Sequence, residues 1–388
     1  MKTIDQLSIR RQNIARIWEL FSVHPTLTRH DLAEGTGLSL MTVTNLVDHL
    51  NRYHVLEFSA PAQQAAPGYR NAGRKADQIS LCTSRHAWLI IDLTDIYFRF
   101  SALALDLSLL LPSMVFSYDQ ERDYALNLMA FLRKVRETID KELKEREILG
   151  VAIVVPGPYD IGQDVVMNKR LPALNTLKIK KILRQELGLY DYYVDEDVKF
   201  AVRAFMPLAT RNGSEVLYYL YIGQGVGGAT IHNGNVLRGL NAAAGDAGQL
   251  ISQQGKSYES LLSLRAFARD CGLMEIPDEN EDGLLSRITQ YSLQDFSKYQ
   301  AALLRSADHA AKMLHAVTWL LDPGQIVIDC PYARPCQAQF ISRISNQLSA
   351  LLGGSVKAPE VLPSPYEMRS VLLGATQVLS REWFARIV

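Results

Sequence analysis

Along the first fifty residues the apolar positions keep helical spacing. Ile14, Ile17, Trp18 and Phe21 lay one stripe along RQNIARIWELFS. The stretch TRHDLAEGTGLSLMTVTNLVDHLNRYHVLE then reads as two short helices. Thr28 is an N-cap with Asp31 in the capping-box position, Leu32 and Ala33 face inward, Gly35 and Gly37 make the turn, and Ser39 caps the second helix. That helix buries Val43, Leu46, Val47 and Leu50, which leaves Leu40, Met41, Thr42, Thr44, Asn45 and Asp48 on its other side and first turn. VLEFSA and ADQISL follow as two strands, and the Pro/Gly/Gln-rich segment between them carries Arg70, Arg74 and Lys75.

This is the layout of a helix-turn-helix with a basic wing. The second helix needs small polar groups near its N-terminus to reach base edges and phosphates, and a basic hairpin tip suits the backbone or the minor groove. Ser39, Leu40, Met41, Thr42, Thr44 and Asn45 are the candidate DNA contacts, with Arg29, Arg74 and Lys75 on the backbone. The alternative is a small helical dimerisation module.

From Trp88 the period changes. WLIIDL, FRFSALAL, LGVAIVVPG, YYVDED, EVLYYLYIG and GQIVID read as strands, mostly apolar runs suited to sheets buried on both faces. ALNLMAFLRKVRETIDKELKE and the segment from Ser297 to Leu321 read as amphipathic helices between them. Two mixed α/β lobes are expected, with a boundary near Asp197 to Ala209 and no internal sequence repeat.

Composition changes little in this picture. A chain of 388 residues suits two or three domains. Its 41 basic and 41 acidic side chains balance, but residues 1 to 85 hold ten Lys/Arg against seven Asp/Glu and four of the eight histidines. No apolar run approaches the roughly 20 residues that span a bilayer, so a cytoplasmic protein without membrane contact is expected. Cys82, Cys271, Cys330 and Cys336 have no paired metal spacing.

TRHDLAEGTGLSLMTVTNLVDHL, GRKADQISL, VVPGPYDIG, VDEDVKFAV, YIGQGVGGATIHNG, RGLNAAAGDAGQ and VLLGATQV, in that order along nearly the whole chain, resemble the ROK family (repressors, open reading frames and kinases) in its winged-helix transcription-factor branch. The resemblance implies a winged helix-turn-helix over 1–82, then an α/β, two-lobed, actin-like sugar-kinase (ribonuclease H-like) fold. Its first lobe would run over 83–200 and its second over 201–388, with a C-terminal helix returning to the first. It implies a homodimer or dimer of dimers on a palindromic double-stranded operator, regulating carbohydrate genes, with a sugar-derived effector held between the lobes.

Phosphoryl transfer needs glycine-lined turns that let phosphate approach the backbone, a metal and a positioned base. Where the family's kinases have an Asp-x-Gly-Gly-Thr turn, this chain reads Asp92, Leu93, Thr94, Asp95, Ile96, which argues against ATP. Asp197 matches the family's catalytic aspartate, although an acid at a helix start is also favoured by the dipole. The family's sugar-binding glutamate is Asp246, its sugar- and zinc-binding histidine is Gln249, its final glutamate is Glu259, and the cysteine loop is reduced to ISQQGKS. No zinc and no cofactor are expected. Pro156 and Gly157 would stand opposite. Arg170 and Lys199 replace asparagines, and two cations in that cleft imply an anionic effector, a sugar phosphate or sugar acid; otherwise they neutralise the acids of an empty cleft. A kinase with a DNA-binding appendage and an effector-independent dimer are the other readings.

Overall fold

The computed structural model describes residues 6–60, 77–94, 97–117, 123–169, 171–188, 190–211, 215–276, 279–366 and 369–388. Arg74, Lys75 and Arg170 lie outside the described residues.

The head is α1 (Gln6–Val23), α2 (Arg29–Thr36), α3 (Leu40–Asn51) and the antiparallel pair β1 (Leu56–Ser59) and β2 (Gln78–Leu81). Thr28 and Asp31 form a full capping box, Gly37 closes α2 at φ 70°, and the Ser39 hydroxyl accepts from the Thr42 amide. Leu27 bridges to Ile79 through both backbone hydrogen bonds, which ties the start of α2 to the wing. Val43, Leu46, Val47 and Leu50 are buried against Ile14, Ile17 and Phe21, the arrangement of a winged helix-turn-helix.

The first lobe contains β3 (His86–Asp92), β4 (Tyr97–Leu103), β5 (Met114–Ser117), α4 (Tyr124–Glu142), β6 (Glu147–Val155), the short ribbon β7 (Tyr159–Asp160) and β8 (Val165–Val166), α5 (Ile179–Leu187) and β9 (Tyr192–Glu196). Its sheet has the order β5-β4-β3-β6-β9, with β3–β4 and β4–β5 antiparallel and β3–β6 and β6–β9 parallel. The crossing segment α6 (Asp197–Ala201) and α7 (Met206–Arg211) leads to the second lobe. There β10 (Val216–Ile222), β11 (Val226–His232) and β12 (Asn235–Val236) are followed by α8 (Tyr258–Leu262), α9 (Leu264–Asp270), α10 (Glu281–Gln294), α11 (Phe296–Leu321), β13 (Gln325–Asp329), α12 (Gln337–Leu352) and β14 (Glu360–Pro363). This sheet runs β12-β11-β10-β13-β14 with the same sequence of antiparallel and parallel pairings. The lobes therefore repeat one topology. The sequence shows no such repeat because a strand buried on both faces asks only for an apolar run, which many sequences satisfy.

The last helix, α13 (Ser370–Ile387), leaves the second lobe and packs across β3 and β6 of the first. Ala375, Leu379, Trp383 and Phe384 are buried in one continuous core that also holds Trp88 and Ile90 of the lobe and Ile14, Ile17 and Val47 of the head. The opposite face of the same sheet is covered by Phe131, Leu132 and Val135 of α4 and Leu183 of α5. No helix among the described residues is long and apolar enough to cross a membrane.

Candidate functional site

On the head, α3 presents its N-terminal turn to solvent. Leu40 is 53% and Met41 77% exposed, and Ser39 and Asn45 are exposed beside them. Several of the predicted polar contacts are already engaged within the chain. Ser39 and Thr42 share a 2.9 Å hydroxyl hydrogen bond, and Thr44 donates to the Leu40 carbonyl at 2.9 Å. Arg29 pairs with Asp48 at 3.1 Å and lies over the Phe58 ring, so it would have to leave Asp48 to reach a phosphate.

A second concave site, about 390 Å³, lies between the lobes. Pro156, Gly157, Asp197, Asp246, Gln249 and Glu259 all line it. Asp197 opens α6 and its carboxylate accepts from the Val198 amide at 2.7 Å. Gln249 donates to Glu259 at 2.6 Å, so the residue at the family's histidine position holds the neighbouring carboxylate in place. Burial, then the nearby Glu259 and Glu196 charges, push Asp246 up to about 6. ISQQGKS is a tight loop in which the Ser252 amide donates to the Lys256 carbonyl and the Gly255 amide to Ser252. Among the described residues no group of three or more His, Cys, Asp or Glu is placed to hold a metal.

Lys199 departs from expectation. Only 1% exposed, it does not line the cleft; its ammonium pairs with Glu196 at 2.5 Å and donates to the Ala242 carbonyl. The reason is helical spacing. Residues three apart share a face and residues two apart do not, so Lys199 meets Glu196 and not Asp197. Glu196, which stands in VDEDVKFAV where the resemblance implies an asparagine, is itself a cleft residue. Burial raises its carboxyl and Lys199 pulls it back, while its oxygen accepts the Tyr159 amide at 2.9 Å. A methyl group on Gly157 would strike this carboxylate, which is why the turn of Pro156 to Pro158 needs glycine. Asn168 closes the turn by donating to the Gly157 carbonyl at 2.7 Å.

The other end of the cleft faces the two turns that follow the first strand of each lobe. At the first, the Asp92 carboxylate accepts from the Thr94 amide at 2.9 Å and its hydroxyl at 2.6 Å. At the second, the Gln224 amide donates to Glu281 at 3.2 Å, and Tyr221 donates to the same oxygen at 2.6 Å. Glu281 thus sits on the glycine turn as a resident anion. Across the gap Arg99 of β4 lies 3.5 Å from Asp282. No local signal marks Glu281, which lies 57 residues from Gln224. Arg238, noticed only as part of RGLNAAAG, reaches across to buried Asp195 of β9 with hydrogen bonds of 3.0 and 2.6 Å, joining the lobes behind the cleft.

A two-lobed α/β body with an acid-lined cleft between duplicated sheets is the actin-like sugar-kinase architecture, here carrying a winged head. The ROK family model matches residues 125–382, and the chain belongs to the ROK family. A ROK family transcriptional regulator described as a homologue of the E. coli MLC protein superposes with a TM-score of 0.65 at 17% identity, covering 98% of each chain. A ROK family glucokinase from Streptomyces griseus, solved with glucose and AMPPNP, superposes at 0.60 with 16% identity over 75% of this chain and 98% of that one. In sequence, a glucokinase from Halalkalibacterium halodurans is 26% identical over 221 residues, 50% of this chain and 66% of the relative. The fold similarity therefore extends over the head with the regulator and over the body alone with the kinase.

Proposed function

We propose that this protein is a DNA-binding transcription regulator of carbohydrate genes whose cleft takes a sugar as effector and transfers no phosphate. The observation that carries the reading is α3: a capped helix with its apolar face in the core and Leu40, Met41 and Asn45 exposed beside Ser39. A second helix of this kind, in a two-fold dimer, would address half-sites one duplex turn, about 34 Å, apart. The resemblance in fold to a regulator over the full length, head included, supports the same reading.

For the effector, Asp197, Asp246 and Glu259 offer carboxylate acceptors to hydroxyl donors. They would repel an anion. With Lys199 consumed by Glu196, the part of the cleft that these acids line suits a neutral polyhydroxyl ligand better than a sugar phosphate or sugar acid, although Arg99 and Arg369 line the same cleft. Against phosphoryl transfer stand Thr94 and Asp95 in place of the kinases' two glycines at the first turn and the Glu281 carboxylate already seated at the second, where a phosphate would need free backbone amides. Asp197 at the cleft wall, the glycine turn Gly223 to Gly228 and the likeness to glucokinases favour a kinase, and ADP release over a sugar panel separates the two.

Selection of duplexes by the full chain from a random library at low salt tests the main reading. Enrichment of a palindrome, with binding that weakens steeply as salt rises, is expected; no enrichment sinks it. Calorimetry should detect neutral sugars, and binding restricted to sugar phosphates or acids would overturn the effector class.

A further inference from the structure

One helix touches both candidate sites. The first turn of α13 lines the cleft with Ser370, Val371 and Leu372. Ser370 donates to Asp329 at 3.4 Å, at the end of β13 in the second lobe, and Asp329 also accepts from Tyr219 at 3.3 Å. One turn further, Gly374 lies against the Phe200 backbone of α6, just behind Asp197, so closely that a methyl group there would strike the Phe200 carbonyl. The other end of α13 is clasped by the head. The Ile387 carbonyl accepts from His49 Nε2 at 3.0 Å and Tyr53 at 3.2 Å, and the Ala385 carbonyl from Arg11 at 2.8 Å. Trp18 meets Phe384 edge-on at 5.1 Å and Tyr53 meets Trp383 at 5.8 Å. Carbonyls of a last helical turn have no partner inside the helix. Here their partners are His49 on the recognition helix and Tyr53 in the turn that follows it.

We infer that α13 is the coupling rod through which occupancy of the cleft changes the setting of α3, an inference that rests on the regulator reading above. Eighteen residues at ~1.5 Å each make a rod of about 27 Å. Close-packed along its middle by Ala375, Leu379 and Trp383, it passes a displacement on instead of absorbing it. A ligand that draws Asp246 and Glu259 toward Asp197 moves the second lobe, and with it Asp329 and the start of α13. The far end can follow only by pulling on the Ile387 clasp or on the head itself.

Amide hydrogen exchange on the full chain, read by mass spectrometry, tests this. Ser370→Ala removes the link to Asp329 and should speed exchange across residues 40–51 at least threefold. In a His49→Ala, Tyr53→Phe background, which opens the clasp, the same substitution should add nothing there. Ser380→Ala serves as a control, since that buried hydroxyl on the same helix donates only to Gln377 of α13 among the hydrogen bonds described for it. If Ser370→Ala leaves 40–51 unchanged, or Ser380→Ala moves that segment equally, the coupling is overturned. Affinity for duplexes selected from a random library is measured in parallel and should shift at least threefold in Ser370→Ala. Should no duplex be selected while exchange moves as expected, the regulator reading falls and the coupling stands; bound duplex with unmoved exchange has the opposite meaning.

Discussion

The two lobes share one strand order and differ in what completes them. In the second lobe one face of the sheet packs on a core of its own, built from α8 to α12 around Tyr299, Leu303 and Phe340, and the other packs on α6, α7 and the start of α13. In the first, one face is covered by α4 and α5, but the other is closed by α13 and the head. The turns differ in the opposite sense. The first holds its amide with a local carboxylate, Asp92 to Thr94, whereas the second borrows Glu281 from a distant helix. Each lobe of a duplicated architecture is thus completed at one place with local parts and at another with parts brought from elsewhere in the chain. The borrowed contacts are where a cleft between the lobes can be sensed.

The largest expected effect strikes the joint itself. Gly374→Ala forces α13 off the Phe200 backbone and should cost about 3 kcal/mol, seen as a lowered urea midpoint for the whole chain. Next, Glu281→Ala leaves the Tyr221 hydroxyl and Gln224 amide unpaired and should cost about 2 kcal/mol, with Glu281→Gln recovering most of it because the amide oxygen still accepts. Asp92→Ala, at the self-contained turn, should cost about 1 kcal/mol in the same measurement. If Asp92→Ala proves the costlier of the two, the contrast between borrowed and local turns is wrong.

A smaller effect is tied to pH. Asp246 binds its proton more tightly folded, at about 6, than in the unfolded chain, near 3.8. Its charge therefore weakens the fold above pH 6, and the penalty fades as pH falls from about 6 to 3.8, where the folded form takes up the proton first. Asp246→Asn should accordingly melt above the wild type at pH 7.5 and level with it below pH 4; a gap independent of pH would contradict the raised carboxyl. The smallest change belongs to Arg99→Ala. Its half-exposed pairing with Asp282 at 3.5 Å predicts a loss under ~0.5 kcal/mol by thermal scanning.

Much of this was legible along the chain. The head could be read residue by residue, since cap, turn and apolar face are all local signals, and each was found at Thr28, Gly37 and Val43. In the lobes β3, β4, β6, β9, β10 and β13 stood out as apolar runs, whereas the edge strands β5, β12 and β14 and the glycine-rich β11 did not. Among the cleft acids, Asp197, Asp246 and Glu259 could be picked out from their motifs, whereas Glu281 and Asp329 could not. What could not be read depends on pairing across distance. Spacing gives Lys199 a same-face neighbour in Glu196, three residues back, but its burial under the Ala242 loop is set by a contact 43 residues away. Arg238 and Asp195 are 43 residues apart. Helix α10 has a weaker apolar stripe than α3, α4 or α11, and the role of Glu281 follows from where α10 docks.

The shared core of head, α13 and first lobe also makes the chain its own optical reporter. Of the four tryptophans, Trp18, Trp88 and Trp383 lie in that core or pack against it, and only Trp319 stands far out in solvent, 54% exposed. Replacing Trp319 by phenylalanine would leave a protein whose entire indole emission originates where the head meets the body. Its wavelength and quenching would then register, without any attached dye, whether that joint is closed, loosened or re-seated when a sugar or a duplex is added.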